Sequence, residues 1–348
     1  MRTLVSERGV RVVDPDLSDG NYRGWKPPAL PPSGQPAVNS LEYRLQHHPG
    51  FPLHRGSVWH SVAVVVEPDA PDEPSLAEIM EISVQVTATG VPYVHAVLPT
   101  DRYDEAAACL AREIAARRIP NNDLLTLWTT VAFAEDAEPL TERDKRVLAA
   151  HLLENIGTPE HPATDSHLTG LIAESLWLNV ITRISVGPGR PLRVEGHDWS
   201  ATDPGGDGLT VYGIAGQYSF RLWESKYHGT DSPTRETVHV ACRQVRERAP
   251  SYLARFSLVE QHIVDNPDLA RFYSRLTELW VDRAPEAGVG IAVGTRNTNA
   301  DEFERIAEFF ELGPEQHQGH LNLIANFQDF AERVRRLLWK GAGLWNER

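Results

Sequence analysis

Lysine is scarce in this chain of 348 residues. Four are present, Lys26, Lys145, Lys226 and Lys340, among 34 basic side chains, and the rest are arginine. A pattern that requires lysine is therefore satisfied by chance less often here than in an average protein. Cysteine is scarcer still: Cys109 and Cys242 stand far apart in helical patterns, which excludes a disulfide framework and a cysteine metal site. No apolar run approaches the length of a membrane span. Met1-Arg2-Thr3-Leu4 leads into charged residues, so neither signal peptide nor anchor is expected, and the expected address is the cytoplasm. An excess of positive charge is also missing. The net charge of -14 excludes a protein that coats nucleic acid by bulk electrostatics, but it leaves room for carboxylates gathered around a metal and for a local arginine patch. Aromatic residues, at 8%, form no cluster that would serve as a base-stacking platform. What remains is a composition of 41% hydrophobic and 24% charged residues, that of a soluble globular protein with a substantial core.

Three regions emerge along the chain. Residues 1 to about 56 are rich in turn residues, as in Gly24-Trp25-Lys26-Pro27-Pro28 and Leu30-Pro31-Pro32-Ser33-Gly34, and predict an extended arm. Residues 57–157 form an N-terminal α/β region, with strand-like alternation at 57–66, 81–87 and 91–98 and helical patterns over 104–118, 122–134 and 141–155. Gly157-Thr158-Pro159-Glu160-His161-Pro162 breaks the helical pattern and marks a domain boundary. In 163–341 a helix over 165–183, apolar nearly all round, precedes a short strand and a hairpin of 208–212 and 218–226 with glycine at its turn. Helices over 233–248, 250–264 and 267–283, a strand at 288–294, a helix over 301–311, a strand at 320–325 and a helix over 327–340 complete the pattern. Strands interleaved with helices indicate an α/β (α+β) core.

The chemistry concentrates in the hairpin. On a strand alternate side chains share a face, so Tyr218, Phe220, Leu222, Glu224 and Lys226 make an apolar stripe that ends in a carboxylate and an amine. Charges there are tolerated when paired, metal-bound or used. Asp207, at the start of the first hairpin strand, lies at the same end as Glu224, and the two can share a metal. Mg²⁺, or Mn²⁺, takes hard oxygen ligands and keeps several waters, so a few converging oxygens suffice, and the Ser225 carbonyl can add one. Phosphodiester hydrolysis needs such a metal together with a group that orients the attacking water, a task within reach of Lys226. Glu174 falls on the stripe Leu171, Glu174, Leu178 and Ile181 of the apolar helix, where it faces either a second metal or an arginine such as Arg183 or Arg193.

A helix glutamate, then Asp207, then Glu224-Ser225-Lys226 resembles the PD-(D/E)xK nuclease superfamily. The resemblance implies a restriction-endonuclease-like mixed sheet flanked by helices, with Asp207 and Glu224 as metal ligands, Lys226 as the catalytic lysine and Glu174 as the acidic residue of the first core helix. Asp207 follows Gly205-Gly206 where the superfamily pattern has proline. Gly206-Asp207-Gly208-Leu209, Leu222-Trp223-Glu224-Ser225-Lys226-Tyr227 and His320-Leu321-Asn322-Leu323-Ile324 running into Phe330-Ala331-Glu332-Arg333-Val334 are similar to the nuclease-subunit family of the Hachiman anti-phage system, over roughly residues 160 to 340. That likeness implies a DNA substrate and a partner helicase that regulates the nuclease.

Other signals compete. Asp198 and Asp203 are rival metal ligands, but neither starts a strand that pairs with the one bearing Glu224. His47, His48, His54 and His60 fit no helix or hairpin ligand spacing. Gly288 to Gly294 resembles a dinucleotide loop with its third glycine misplaced, and a glycine-rich core strand is the simpler reading. Gln244 and Arg248, one turn apart, either touch a phosphate or the lysine or form a solvated helix face. Arg235, Arg243, Arg246 and Arg248 form one basic patch, and Arg333, Arg335 and Arg336 another. The functions to separate are a metal-dependent nuclease, a catalytically silent nuclease-like scaffold, and a nucleotide- or signal-binding protein built on the glycine-rich strand.

Overall fold

The computed structural model describes residues 3–5, 11–13, 74–184, 186, 189–196, 206–214, 216–258, 263, 266–297 and 301–345. The strand expected at 57–66, most of the turn-rich arm, the four histidines at 47, 48, 54 and 60, and Asp198 and Asp203 lie outside them. The chain divides into two units, 1–42 and 43–348. In the first, β1 (Thr3–Val5) and β2 (Arg11–Val13) form an antiparallel ladder with Leu4 against Val12.

The second unit runs through α1 (Leu76–Ile79), β3 (Glu81–Val86), β4 (Pro92–Val97), α2 (Tyr103–Arg118), α3 (Asn122–Phe133), α4 (Glu142–Leu152), α5 (Asp165–Ile181), β5 (Arg193–Gly196), β6 (Gly208–Ile214) and β7 (Gln217–His228). It continues with α6 (Arg235–Ser257), α7 (Pro267–Ser274), α8 (Leu276–Val281), β8 (Ala287–Thr295), α9 (Ile306–Phe309), β9 (His317–Leu323) and α10 (Phe327–Gly341). Seven strands make one mixed sheet in the order β3-β4-β9-β8-β7-β6-β5. The four central strands, β4, β9, β8 and β7, are parallel, while β3 at one edge and β6 and β5 at the other run antiparallel to their neighbours. Among the described residues no helix is long and apolar enough to cross a membrane.

Each face of the sheet has its own core. On one, Trp223, Ala292 and Val94 pack beneath α5, α2 and α10; on the other, Phe220, Leu222, Val289 and Leu321 pack beneath α6, α7 and α8. β8 is buried along its whole length, which is why it reads as a continuous small and apolar run with no alternation. Its glycines make room for neighbours. A β-carbon at Gly290 would collide with the Trp223 ring, and one at Gly294 would stand 2.9 Å from Phe327 Cε2. The glycine-rich segment is thus a packed core strand and not a loop open to a nucleotide.

Two expectations about punctuation change. Gly157 to Pro162 forms a tight turn, with Gly157 at φ 68° bridged to Pro162, but β3 and β4 before it belong to the same sheet as β5 to β9 after it. The turn therefore connects two parts of one sheet and does not separate an N-terminal region, because β4 finds its partner in β9 near the other end of the unit. Separate helices were expected over 233–248 and 250–264, yet α6 is one helix that runs through Pro250. The buried stripe Val245, Ala249, Tyr252, Leu253 and Phe256 continues across the proline, so packing outweighs the lost backbone hydrogen bond.

Candidate active site

β6 and β7 position the site. Asp207 precedes β6 and still follows the strand: its N–H donates to the Trp223 carbonyl at 2.9 Å, and its Oδ2 accepts the Ser225 N–H at 2.5 Å. The carboxylate therefore occupies the place where β6 would otherwise continue to pair with β7. On an extended strand the N–H and C=O of one residue point to the same side, so the Ser225 carbonyl is directed toward that place too.

Alternation sets the faces. Trp223 stacks on Trp177 of α5, so Ser225 and Tyr227 share that side, while Glu224 and Lys226 follow Leu222 onto the α6 side. Glu224 is 0% exposed. Its Oε1 accepts a hydrogen bond from Lys226 Nζ, and its Oε2 is buried with no hydrogen-bond partner among the described residues. The Lys226 side chain keeps 29% of its surface exposed, enough to meet solvent or substrate.

The charges are strongly perturbed. Burial pushes the Asp207 carboxyl up to about 6, against the opposing pull of the Lys226 charge and the Ser225 hydrogen bond. Burial and then the neighbouring Asp207 charge hold Glu224 well above the ordinary carboxylate range; Lys226 opposes this and Glu174 adds to it. Burial lowers the Lys226 ammonium, but Glu224, Asp207 and the Glu224 hydrogen bond more than restore it, so Lys226 stays charged. Two neighbouring carboxylates with one cation beside them form a site short of positive charge.

Among the described residues no group of three or more His, Cys, Asp and Glu side chains is placed to hold a metal ion. The Asp207 and Glu224 carboxylates with the Ser225 carbonyl are a smaller set. They nonetheless fit Mg²⁺, which commonly takes one or two protein carboxylates and fills the rest of its shell with water and phosphate oxygens. The unpartnered Oε2 of Glu224 is a hard oxygen that such an ion would satisfy.

Glu174 does not join this set. It is half-buried on α5, the helix whose Trp177 stacks on Trp223, and its charge acts on Glu224. Sequence reasoning missed Tyr252, on α6. A β-carbon at Gly206 would stand 3.0 Å from Tyr252 Cδ2, and the Tyr252 hydroxyl is hydrogen-bonded by Arg248 and Gln244. The four-residue spacing of Gln244, Arg248 and Tyr252 was the available signal. Of the two arginine patches, the one on α6 is exposed, whereas Arg333 pairs with Asp104 and Asp329, and Arg335 is buried against Glu332 and Trp339. Clefts of about 470 Å³, between α2, α3 and α10, and about 400 Å³, at the turn end of β7, do not touch Asp207, Glu224 or Lys226.

Comparison of the sequence with known protein families and with characterised proteins finds no match in either.

Proposed function

We propose that this chain is a metal-dependent nuclease that hydrolyses DNA phosphodiester bonds, with a restriction-endonuclease-like core and Mg²⁺ or Mn²⁺ as its cofactor. The observation that carries the reading is the convergence of Asp207, Glu224 and Lys226 where β6 gives way to open strand on β7. A silent scaffold would gain nothing from a fully buried glutamate with an unsatisfied oxygen, which costs free energy in the folded chain.

Asp207, Glu224 and the Ser225 carbonyl would hold the metal, which when bound would offset the phosphate charge and acidify a water. The residues divide the remaining work. Glu224 Oε1 fixes Lys226 Nζ by a hydrogen bond, leaving two of its three N–H donors for an attacking water or a non-bridging phosphate oxygen. The Ser225 N–H holds the Asp207 carboxylate in one orientation. Lys226 suits this place better than arginine because a compact ammonium with three rotatable donors fits beside the carboxylates where the broad, planar guanidinium does not.

By the same resemblance, the chain acts in the cytoplasm as the effector of an anti-phage system, restrained by a partner helicase. Plasmid nicking in Mg²⁺ tests the reading with the wild type, Glu224→Ala and Lys226→Ala, each with and without a helicase encoded beside it. Cleavage by the wild type and loss of at least about a hundredfold in both variants is expected. Cleavage that persists in both variants would remove the site assignment, and absence of cleavage under every condition would favour the scaffold.

A further inference from the structure

Gln244, Arg248 and Tyr252 recur every four residues on α6, so their side chains follow one another along one helix face. That face borders the site. The Tyr252 ring, 4% exposed, lies against Leu222 and Gly206, the residues that precede Trp223-Glu224 on β7 and Asp207 on its own segment. Its hydroxyl takes hydrogen bonds from the Arg248 guanidinium and the Gln244 amide and lies within electrostatic reach of Glu224 and Lys226. Arg248 itself is exposed. Guanidinium carries five N–H donors in a planar fork that matches the oxygens of a phosphate. A buried tyrosine thus fixes the direction of an exposed cation at the edge of a carboxylate-lined site. Among the described residues, two other clusters lack this directionality: Arg333 is closed between two aspartates, and the Glu195, Tyr273 and Arg193 group ties β5 to α7.

We propose that Arg248 grips the non-bridging oxygens of a backbone phosphate in the nucleic-acid strand, and that Tyr252 is the positioning residue that aims it. The inference rests on the phosphodiesterase reading of Asp207, Glu224 and Lys226. Gln244 is a second donor to the same tyrosine oxygen.

The test is a fluorescence-polarisation titration of the full chain against a labelled oligonucleotide in EDTA, where binding is read without cleavage, at several salt concentrations. Arg248→Ala is expected to weaken binding ~10- to 100-fold and to lower the salt slope by about 0.7–0.9, the contribution of one phosphate contact. Arg248→Lys is expected to restore the slope with little of the affinity. Tyr252→Phe is expected to weaken binding ~2- to 10-fold in the wild type and to have no effect in the Arg248→Ala background. If the wild type binds and Arg248→Ala matches its affinity and slope, the inference fails while the nuclease reading stands. A Tyr252→Phe loss that persists without Arg248 reduces the tyrosine to packing and overturns its positioning role. A wild type that neither binds oligonucleotide nor nicks plasmid overturns both proposals.

Discussion

Trp177 of α5 lies stacked on Trp223 of β7, with ring centroids 5.0 Å apart and planes tilted by 16°. The strand that carries Glu224 and Lys226 is therefore clamped to a helix one residue before the first of them. Space for the pair comes from two glycines: a β-carbon at Gly208 would stand 2.8 Å from Trp177 Cη2, and one at Gly290 would overlap the Trp223 ring. The Trp223 indole N–H is satisfied by Thr210 Oγ1 at 2.9 Å.

From this packing, Gly290→Ala is expected to lose about 1–3 kcal/mol of stability through overpacking. Urea denaturation followed by tryptophan fluorescence measures it. An unchanged midpoint would show that Trp223 can move aside, and the clamp would lose its basis.

Metal binding should be visible without any turnover. A carboxyl whose folded pKa is raised gives up its proton at higher pH in the folded chain than in the unfolded one, so ionisation opposes folding. For Asp207, stability in EDTA is full below the ordinary carboxylate value and declines as the pH rises through about 6. Mg²⁺ at neutral pH should reverse the decline and raise Tm by a few degrees, as about 2–3 kcal/mol of linkage near a hundred times Kd requires. In Asp207→Asn and Glu224→Gln the Mg²⁺ shift should vanish, and the metal-free proteins should melt above wild type. Calorimetry at pH 5 and pH 7.5 decides the matter; equal Mg²⁺ shifts in wild type and both variants would place the ion elsewhere.

Acid sensitivity should come from β9. Burial pushes His317 and His320 down to about 4, and His320 Nε2 lies 3.1 Å from Asn322 Oδ1. The unfolded chain takes up these protons near pH 6.5 and the folded chain only near 4. Between those values the unfolded state binds more protons, so stability falls as pH drops through the window and levels off below it, by up to roughly 3 kcal/mol per histidine. His320→Gln should flatten the stability profile between pH 6.5 and 4. A profile as steep as wild type would assign the acid loss to other groups.

Pro250 gives a prediction of opposite sign. It sits exposed inside α6, where proline costs the helix a hydrogen bond. Pro250→Ala is expected to gain ~1–3 kcal/mol in denaturant melts. No gain would mean that the helix bends at this point to aim the segment bearing Tyr252, and cleavage by the variant should then fall.

Much of the hairpin was legible in the sequence because its signals are local. Period-two alternation put Glu224 and Lys226 on one face, and the glycine turn brought Asp207 back beside them. The failures are non-local. Helical spacing marked Glu174 as part of an apolar stripe, but the stripe carries no label for the sheet face it covers, and α5 covers the face opposite Glu224. Tyr252 reads as one more core aromatic until α6 is laid across β7. The stretch around Pro250 reads as two helices, 233–248 and 250–264, because local propensity takes no account of the buried stripe that runs past the proline. The break at 157 reads as a boundary because nothing in the sequence near β4 indicates that its partner is β9.

The pairing of β4 with β9 joins segments more than half the chain apart, with Tyr93 in register with Gly319 and Val97 with Leu323. On a ribosome, the hairpin bearing Asp207, Glu224 and Lys226 emerges before β8 and β9 exist. Its inner neighbour is missing, and β4 waits with one edge unpaired until residue 323 is out. A nascent or prematurely ended chain thus holds the reactive residues without the sheet that aims them. For an enzyme proposed to cut DNA inside the cell that makes it, strand order alone delays competence until β9 has been made.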